Sequence, residues 1–418
     1  RHPEMVDMCI CIASAASLST QALAFDIVGR DAILSDPKWA GGDFYAAGVG
    51  PELGLAQARM IGHITYLSPE MMDKKFGREK DESTAPDRKF DTFFQVERYL
   101  HHQGQKFVKR FDANSYLHIT EAMDAFDLAD AYGSIDKAFA GVRARFLVIA
   151  LSADWLFPPE QSLEVATALL RAGKRVSYCL LHAPHGHDAF LVDIKHLAEV
   201  VRTFLGTGIA PLAQSTAPAD HTIIRRMVGD SARTLDLGCG DGSLLALIGA
   251  GRAVGNLGID IELTNIIASL ARGLDVFQGD IDEGLSMIPD ASYDFVILSQ
   301  TLQEMRKPQL VLREIMRVAQ AGIISFPNFA SWTNRLRLGV TGRMPKNSSL
   351  PYEWYETPNI HLTTLKDFLD LCRAEGIEVE EVVCIPGCPL ERLMIMLGLT
   401  NLGADRVLVK IARAPKPK

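Results

Sequence analysis

Two short loops in the first half of this 418-residue chain carry residues that could move a proton. Leu151-Ser-Ala-Asp154-Trp-Leu-Phe-Pro-Pro follows one compact apolar run, and His182-Ala-Pro-His185-Gly-His187-Asp188-Ala-Phe follows the next. A carboxylate bonded to one imidazole nitrogen fixes the tautomer and stabilises the imidazolium, which frees the other nitrogen to deprotonate a hydroxyl. Asp154 and His187 are the candidates for that pair. An Asp at a strand end can also cap a helix, here the one that begins near Pro158. Three nearby histidines could ligate a metal, but no carboxylate or thiol completes a zinc spacing, so no metal site is expected. The order of acid, then histidine, at consecutive strand ends favours the proton-moving pair over either alternative.

The second half carries a different constellation. Leu235-Asp236-Leu-Gly238-Cys-Gly240-Asp-Gly242 reads as a strand, a glycine-rich turn and the start of a helix. Its Gly-x-Gly-x-Gly spacing differs from the Gly-x-Gly-x-x-Gly of dinucleotide sites. Glycines there let the backbone approach a ligand, and the helix start offers free N–H groups. Asp260 and Glu262, after the next strand, are placed for ribose hydroxyls, and Asp280, after the third, for an adenine amino group.

The elements that must position these residues follow from hydrophobic periodicity. Val6–Ala16 reads as a buried strand and a small-residue turn. Helical spacing over Ser19–Leu34, Pro51–Leu67, Asp91–Phe111 and Ile119–Ala131 then predicts a helical insertion at about 18–130. Strands at Arg145–Leu151 and Val176–Leu181 flank a helix at Glu160–Ala172, a βαβ pattern. Residues 206–220, rich in Ala, Gly, Pro, Ser and Thr, read as a linker after a helix at Val192–Leu205. Beyond it, strands at Thr234–Leu237, Asn256–Ile261, Val276–Gln278, Phe295–Ser299 and Gly322–Phe326 alternate with helices, which predicts a second doubly wound α/β unit over 221–418.

Composition narrows the classes. Apolar residues make up 48% and charged residues 22%, ordinary globular usage, so a disordered chain is excluded. A net charge of −8 leaves no basic stripe for nucleic acid. No apolar run reaches the roughly 18 residues of a membrane helix. Seven cysteines without a CxxC pair fit a reducing cytoplasm.

The first half resembles a known family. Ile12-Ala-Ser-Ala-Ala, Ala32-Ile-Leu-Ser-Asp-Pro37, Ala58-Arg59-Met-Ile-Gly-His63-Ile-Thr-Tyr66, Arg110-Phe-Asp-Ala-Asn-Ser-Tyr116 and Gly186-His187-Asp188-Ala-Phe-Leu look like the MetX-type homoserine O-acyltransferases. The likeness covers residues 1–205. It implies the carboxyl-terminal part of an α/β-hydrolase fold with a helical lid, in which a triad runs in the order Ser, acid, His. It also implies ping-pong transfer from an acyl-CoA co-substrate, usually acetyl-CoA, to the hydroxyl of L-homoserine, with no further cofactor. The donor stays open between acetyl and succinyl, and a homodimer is implied. Asp154 and His187 match the family's acid and base, and Arg59 and Asp188 its homoserine-contacting residues. That last pair suits a zwitterion: a guanidinium clamps a carboxylate bidentately, and a carboxylate holds an ammonium. Asp112, Asn114 and Tyr116 are expected to hold the lid in place. No Gly-x-Ser-x-Gly occurs in the 418 residues, and the chain starts at Arg1. The expectation is that the nucleophile lies upstream and that this chain alone is inactive in acyl transfer.

The second half resembles the MetW family over roughly 221–385, through Leu235–Ser243, Gln278-Gly-Asp-Ile-Asp-Glu-Gly-Leu, Ile297-Leu-Ser-Gln-Thr-Leu-Gln303, Ser325-Phe-Pro-Asn-Phe, Gly342-Arg-Met-Pro and the run Leu350–Leu362. The resemblance implies a Rossmann-like class I methyltransferase fold that binds S-adenosylmethionine and supports its acyltransferase partner. A non-catalytic sensor of adenosylmethionine is the alternative reading. Tyr352, Trp354, Tyr355 and His361 are expected to serve packing rather than methyl transfer.

Overall fold

The structure, a computed structural model, describes residues 2–80, 94–192, 194–206, 218–229, 232–249 and 255–413. The chain forms two compact units, Arg1–Val201 and Arg202–Lys418. Most of the expected linker, 207–217, lies outside the described residues. No described helix is long and apolar enough to cross a membrane.

In the first unit, β1 (Met8–Ile12), β2 (Arg145–Leu151) and β3 (Val176–Leu181) run parallel in that order. Six consecutive residues of β2 are buried, as expected of a parallel strand covered on both faces. The helix Pro159–Arg171 makes the crossover from β2 to β3. Both catalytic candidates therefore leave the same, carboxyl, edge of the sheet.

Between β1 and β2 lie the helices α1 (Thr20–Leu34), α2 (Glu52–Tyr66), α3 (Pro69–Phe76), α4 (Gln95–Val108) and α5 (Ala113–Asp124). Local chemistry sets their starts. Ser19 and Ser68 accept from the third residue onward, and Asp112 does the same for Ser115 N at 2.8 Å; each cap contributes about 1 kcal/mol. Ile33, Phe44, Leu55, Ala58, Phe107 and Ala113 form their common core. Gly54 lies so close to the backbone of Ala32 and Ile33 that a Cβ there has no room, which lets α1 and α2 touch. The expected helix over Ile119–Ala131 is broken: α5 ends at Asp124, and Asp127 caps a new short helix, Leu128–Tyr132, by accepting from Ala129 N and Asp130 N.

In the second unit the sheet order is β6-β5-β4-β7-β8-β10-β9. The strands are β4 (Thr234–Leu237), β5 (Leu257–Asp260), β6 (Asp275–Gln278), β7 (Tyr293–Ser299), β8 (Ala319–Pro327), β9 (Ile377–Ile385) and β10 (Arg406–Arg413). The first five pair parallel, while β10 runs antiparallel to both β8 and β9. This is the Rossmann-like order, reversing at β4, with an antiparallel edge; the crevice for a ligand forms at the reversal, outside the carboxyl ends of the strands. Ile224, Leu244, Ile248, Ile297, Ile323 and Leu408 share one core across helices and sheet. The antiparallel pair β9–β10 was not expected from the sequence.

Candidate functional site

The loop after β2 holds Asp154 in a fixed pose. It is 3% exposed, and its Oδ1 accepts from Leu156 N at 3.0 Å and Phe157 N at 2.9 Å. Its Oδ2 lies 2.8 Å from His187 Nδ1. The cap role and the partner role thus use different oxygens of one carboxylate. His187 sits in a short 3-10 turn, Gly186–Asp188, after β3, its ring 5.1 Å from Phe157, 5.5 Å from Phe190 and 6.0 Å from Tyr66 between centroids. The three rings leave its side chain 19% exposed.

The end of α2 is fastened to both loops. Trp155 Nε1 donates to Leu67 O at 3.0 Å, and Ser68 Oγ donates to Pro184 O. Gly186 has φ +74°, and a Cβ on it would stand 2.6 Å from Ser68 N and 2.7 Å from Tyr66 O. Only glycine satisfies both the backbone angle and the contact.

Arg59, seven residues before Tyr66, lies on the same face of α2. Its guanidinium carbon is 5.2 Å from the Tyr66 ring centroid and 4.7 Å from that of Phe107, with no carboxylate in ion-pair range among the described residues. It therefore has donors free for a ligand rather than a surface ion pair. It lines a cavity of about 250 Å³ together with Asp26, Tyr66, Tyr116 and Phe157. Asp188 is half-buried; burial raises its carboxyl above the ordinary value, and the charges of His187 and Arg59 oppose that rise. Arg59 also bears on His63, which burial first, and then Arg59, Lys75 and Arg110, push down to about 4, so it is neutral; its Nδ1 pairs with Tyr99 Oη at 3.0 Å.

Asn114 joins Gly42 O, Trp39 Nε1 and Tyr45 Oη, and Asp112 caps α5; both act within the helical insertion. Tyr116 packs against the core of the same insertion and also lines the cavity. Tyr66, Asp26 and Phe107 were missed as site residues, although the seven-residue spacing from Arg59 to Tyr66 was a legible signal.

In the second unit, Gly238, Gly240 and Gly242 have φ of +69°, +55° and +76°. A Cβ on Gly238 would meet Thr301 Oγ1 at 2.6 Å, and one on Gly242 would meet Ser269 Oγ and Leu274 Cδ1 at 2.6 Å. At Gly240 nothing lies within 4 Å of that position, so the middle glycine faces open space. Asp260 is buried and accepts from Gly240 N at 2.8 Å, Glu262 N at 2.9 Å and Asn265 Nδ2 at 3.0 Å. Its carboxylate is thus mostly engaged in holding the turn, while Glu262 is exposed. Asp280 accepts from Asp282 N and pairs with Arg306 at 2.8 Å, so a ligand amino group must share it with a guanidinium. Asp236 is 1% exposed, and its Oδ2 has no partner among the described residues. Burial first, and then the Asp260 charge, push it up to about 7. Glu304, raised by burial and by Asp260, adds a third carboxyl nearby that sequence reasoning did not single out. Tyr352, Trp354 and Tyr355 are 51%, 71% and 65% exposed, and His361 is also exposed. Packing here is at the surface rather than in the core: Tyr352 and Trp354 flank Phe329, Met344 and Leu350, and the end of the loop is tied down where Ile360 N and His361 N donate to Gln303 O at 2.8 and 2.9 Å.

Residues 218–401 match the family model described as methionine biosynthesis protein MetW. The second unit carries a MetW domain. The bifunctional methionine biosynthesis protein MetXA/MetW of Rhodopirellula baltica is 39% identical over 397 residues, 92% of this chain and 64% of that protein. Homologues of the amino-terminal half are homoserine O-acyltransferases. The homoserine O-succinyltransferase of Ralstonia nicotianae is 51% identical over 206 residues, 49% of this chain and 50% of that protein. The homoserine O-acetyltransferase of Mesorhizobium japonicum is 47% identical over 207 residues, 49% of this chain and 53% of that protein. The chain thus joins an acyltransferase-like half to a MetW domain, and it spans about half the length of the acyltransferases it matches and 64% of the bifunctional relative.

Proposed function

We propose that the first unit supplies the acid, the base and the amino-acid clamp for acyl transfer to the hydroxyl of L-homoserine in methionine biosynthesis. The observation that carries this reading is the 2.8 Å contact between Asp154 and His187, set beside an Arg59 that forms an ion pair with no carboxylate among the described residues. In the first half-reaction His187 takes the proton of a serine hydroxyl as its oxygen attacks the acyl-CoA thioester. The proton passes to the departing thiolate. In the second, His187 takes the proton of the homoserine hydroxyl, whose oxygen attacks the acyl-serine, and the serine is regenerated protonated. Arg59 holds the homoserine carboxylate and Asp188 its ammonium, and the aromatic rings around His187 keep water from competing. No Gly-x-Ser-x-Gly among the 418 residues supplies the serine, so the chain by itself is expected not to turn over an acyl-CoA. Calorimetric titration of the chain with L-homoserine tests the clamp: binding lost on Arg59→Ala supports it, and no binding by the wild type refutes it.

For the MetW domain, the reading with most support is binding of S-adenosylmethionine. Three carboxyls, Asp236, Asp260 and Glu304, gather at the glycine turn. That field repels a phosphate and favours a cationic sulfonium and its ammonium, while open space at Gly240 admits the ligand against the backbone. When bound, the group would supply either a methyl donor or a regulatory signal; the exposure of Tyr352, Trp354 and His361 favours the signal. Titration of the chain with adenosylmethionine and with adenosine triphosphate separates a sulfonium site from a phosphate site.

A further inference from the structure

The cavity beside Arg59 has an acidic side that the transfer chemistry above does not use. Asp26, on α1, lines it with Arg59, Tyr66 and Tyr116. The carboxyl of Asp124, at the end of α5, lies in hydrogen-bond reach of Asp26, and its charge opposes ionisation of Asp26. Arg30, one turn further along α1, pairs with Asp124 at 2.5 Å, with both side chains 19% exposed. Arg30 thus bonds Asp124 rather than Asp26, and Asp26 lines the cavity. Arg59 is the one cation among the described lining residues; Leu18, Phe25, Ile119 and Met123 make up much of the rest. Burial, and then Asp124, push Asp26 up to about 6, so it is still ionised at slightly alkaline pH.

We propose that Asp26 makes this cavity select an uncharged acyl group, acetyl, over one that ends in a carboxylate, succinyl. This rests on the reading of the first unit as part of a homoserine acyltransferase. The acceptor's own carboxylate occupies Arg59. A second carboxylate, on the acyl tail, then meets Asp26, with no cation besides Arg59 among the described lining residues. Like charges several ångströms apart in such surroundings repel by enough to change binding about tenfold or more. Relatives of nearly equal identity carry both donor names, so overall likeness does not fix the donor and a local charge can.

The two products, O-acetyl-L-homoserine and O-succinyl-L-homoserine, are the probes, titrated calorimetrically into the chain at pH 7.5 so that no turnover is needed. The acetyl compound should bind at least about tenfold more tightly. Asp26→Asn, which keeps the shape and removes the charge, should bring the ratio to about twofold or less, chiefly by strengthening the succinyl compound, and Asp26→Ala should do the same. Equal or tighter binding of the succinyl compound by the wild type overturns the proposal, as does an unchanged ratio in both variants. If L-homoserine binds but the discrimination is absent, only the role of Asp26 falls. If neither L-homoserine nor either product binds, the acyltransferase reading fails with it.

Discussion

His187 Nδ1 stands 2.8 Å from Asp154 Oδ2, on a carboxylate whose other oxygen is already bonded to two backbone N–H groups. The acid is thereby held by the chain it follows, independently of the histidine. Asp154→Asn keeps the shape but offers an N–H where His187 needs an acceptor. In a polypeptide that also carries the serine, kcat should fall by about 10⁴ with little change in KM. Steady-state kinetics with L-homoserine checks this, and a loss below tenfold would count against the pair.

Gly186→Ala should be among the most damaging small substitutions in the first unit. Its φ of +74° and the 2.6 Å approach to Ser68 N combine strain with a clash, for a cost of about 3 kcal/mol or more. Gly173→Ala, at φ +68° with nothing within 4 Å, isolates the strain alone and should cost about 1 kcal/mol. Urea unfolding of both variants gives the comparison; equal losses would show that the contact with α2 is relaxed.

Arg59→Lys should not rescue the binding of L-homoserine lost in Arg59→Ala. The guanidinium lies between Tyr66 and Phe107, where its flat face and forked donors both count, and an ammonium offers neither. Calorimetry should show at least about a tenfold weaker dissociation constant for the lysine variant.

Asp236 should make the MetW domain less stable as pH rises. Its carboxyl is raised from an ordinary value near 3.8 to about 7 in the folded domain. The folded state therefore holds a proton that the unfolded state has lost between those values. Stability is greatest below the lower value and falls as pH rises through about 7. Asp236→Asn should flatten that slope and raise the melting temperature at pH 8 relative to wild type; parallel slopes in the two proteins would refute the assignment.

Gly240→Val should separate folding from ligand binding in the same domain. The Cβ position is empty, so the cost to folding is the left-handed strain alone, about 1–2 kcal/mol. Binding of adenosylmethionine should nevertheless disappear, because the new side chain fills the approach to the turn. Asp260→Ala is the poorer test, since it strips three hydrogen bonds from that turn.

Much of the fold was legible because buried parallel strands announce themselves. The runs Arg145–Leu151 and Thr234–Leu237 are compact, apolar and followed by turn residues. β9 and β10 were harder: Ile377-Glu-Val-Glu alternates only briefly before Glu381-Val-Val-Cys breaks the period, and pairing with β8 supplies the rest. Within the site, residue type and order pointed to Asp154 and His187. Asp26 was not legible, because an aspartate on an amphipathic helix reads as a solvated face until α5 closes over it. Tyr352 and Trp354 differ in the opposite direction, since large aromatics usually signal a core and these pack on a surface loop.

The fastening of α2 to both catalytic loops has a mechanical consequence. Trp155, Ser68 and Gly186 fix the carboxyl end of the helix that carries Arg59, so Arg59 and His187 ride on one rigid frame. The distance between guanidinium and imidazole is then set by backbone contacts rather than by the side chains alone. α1, whose backbone touches α2 at Gly54, belongs to the same frame, so the wall of the cavity that can shift without altering the distance between Arg59 and His187 is the one made by α5.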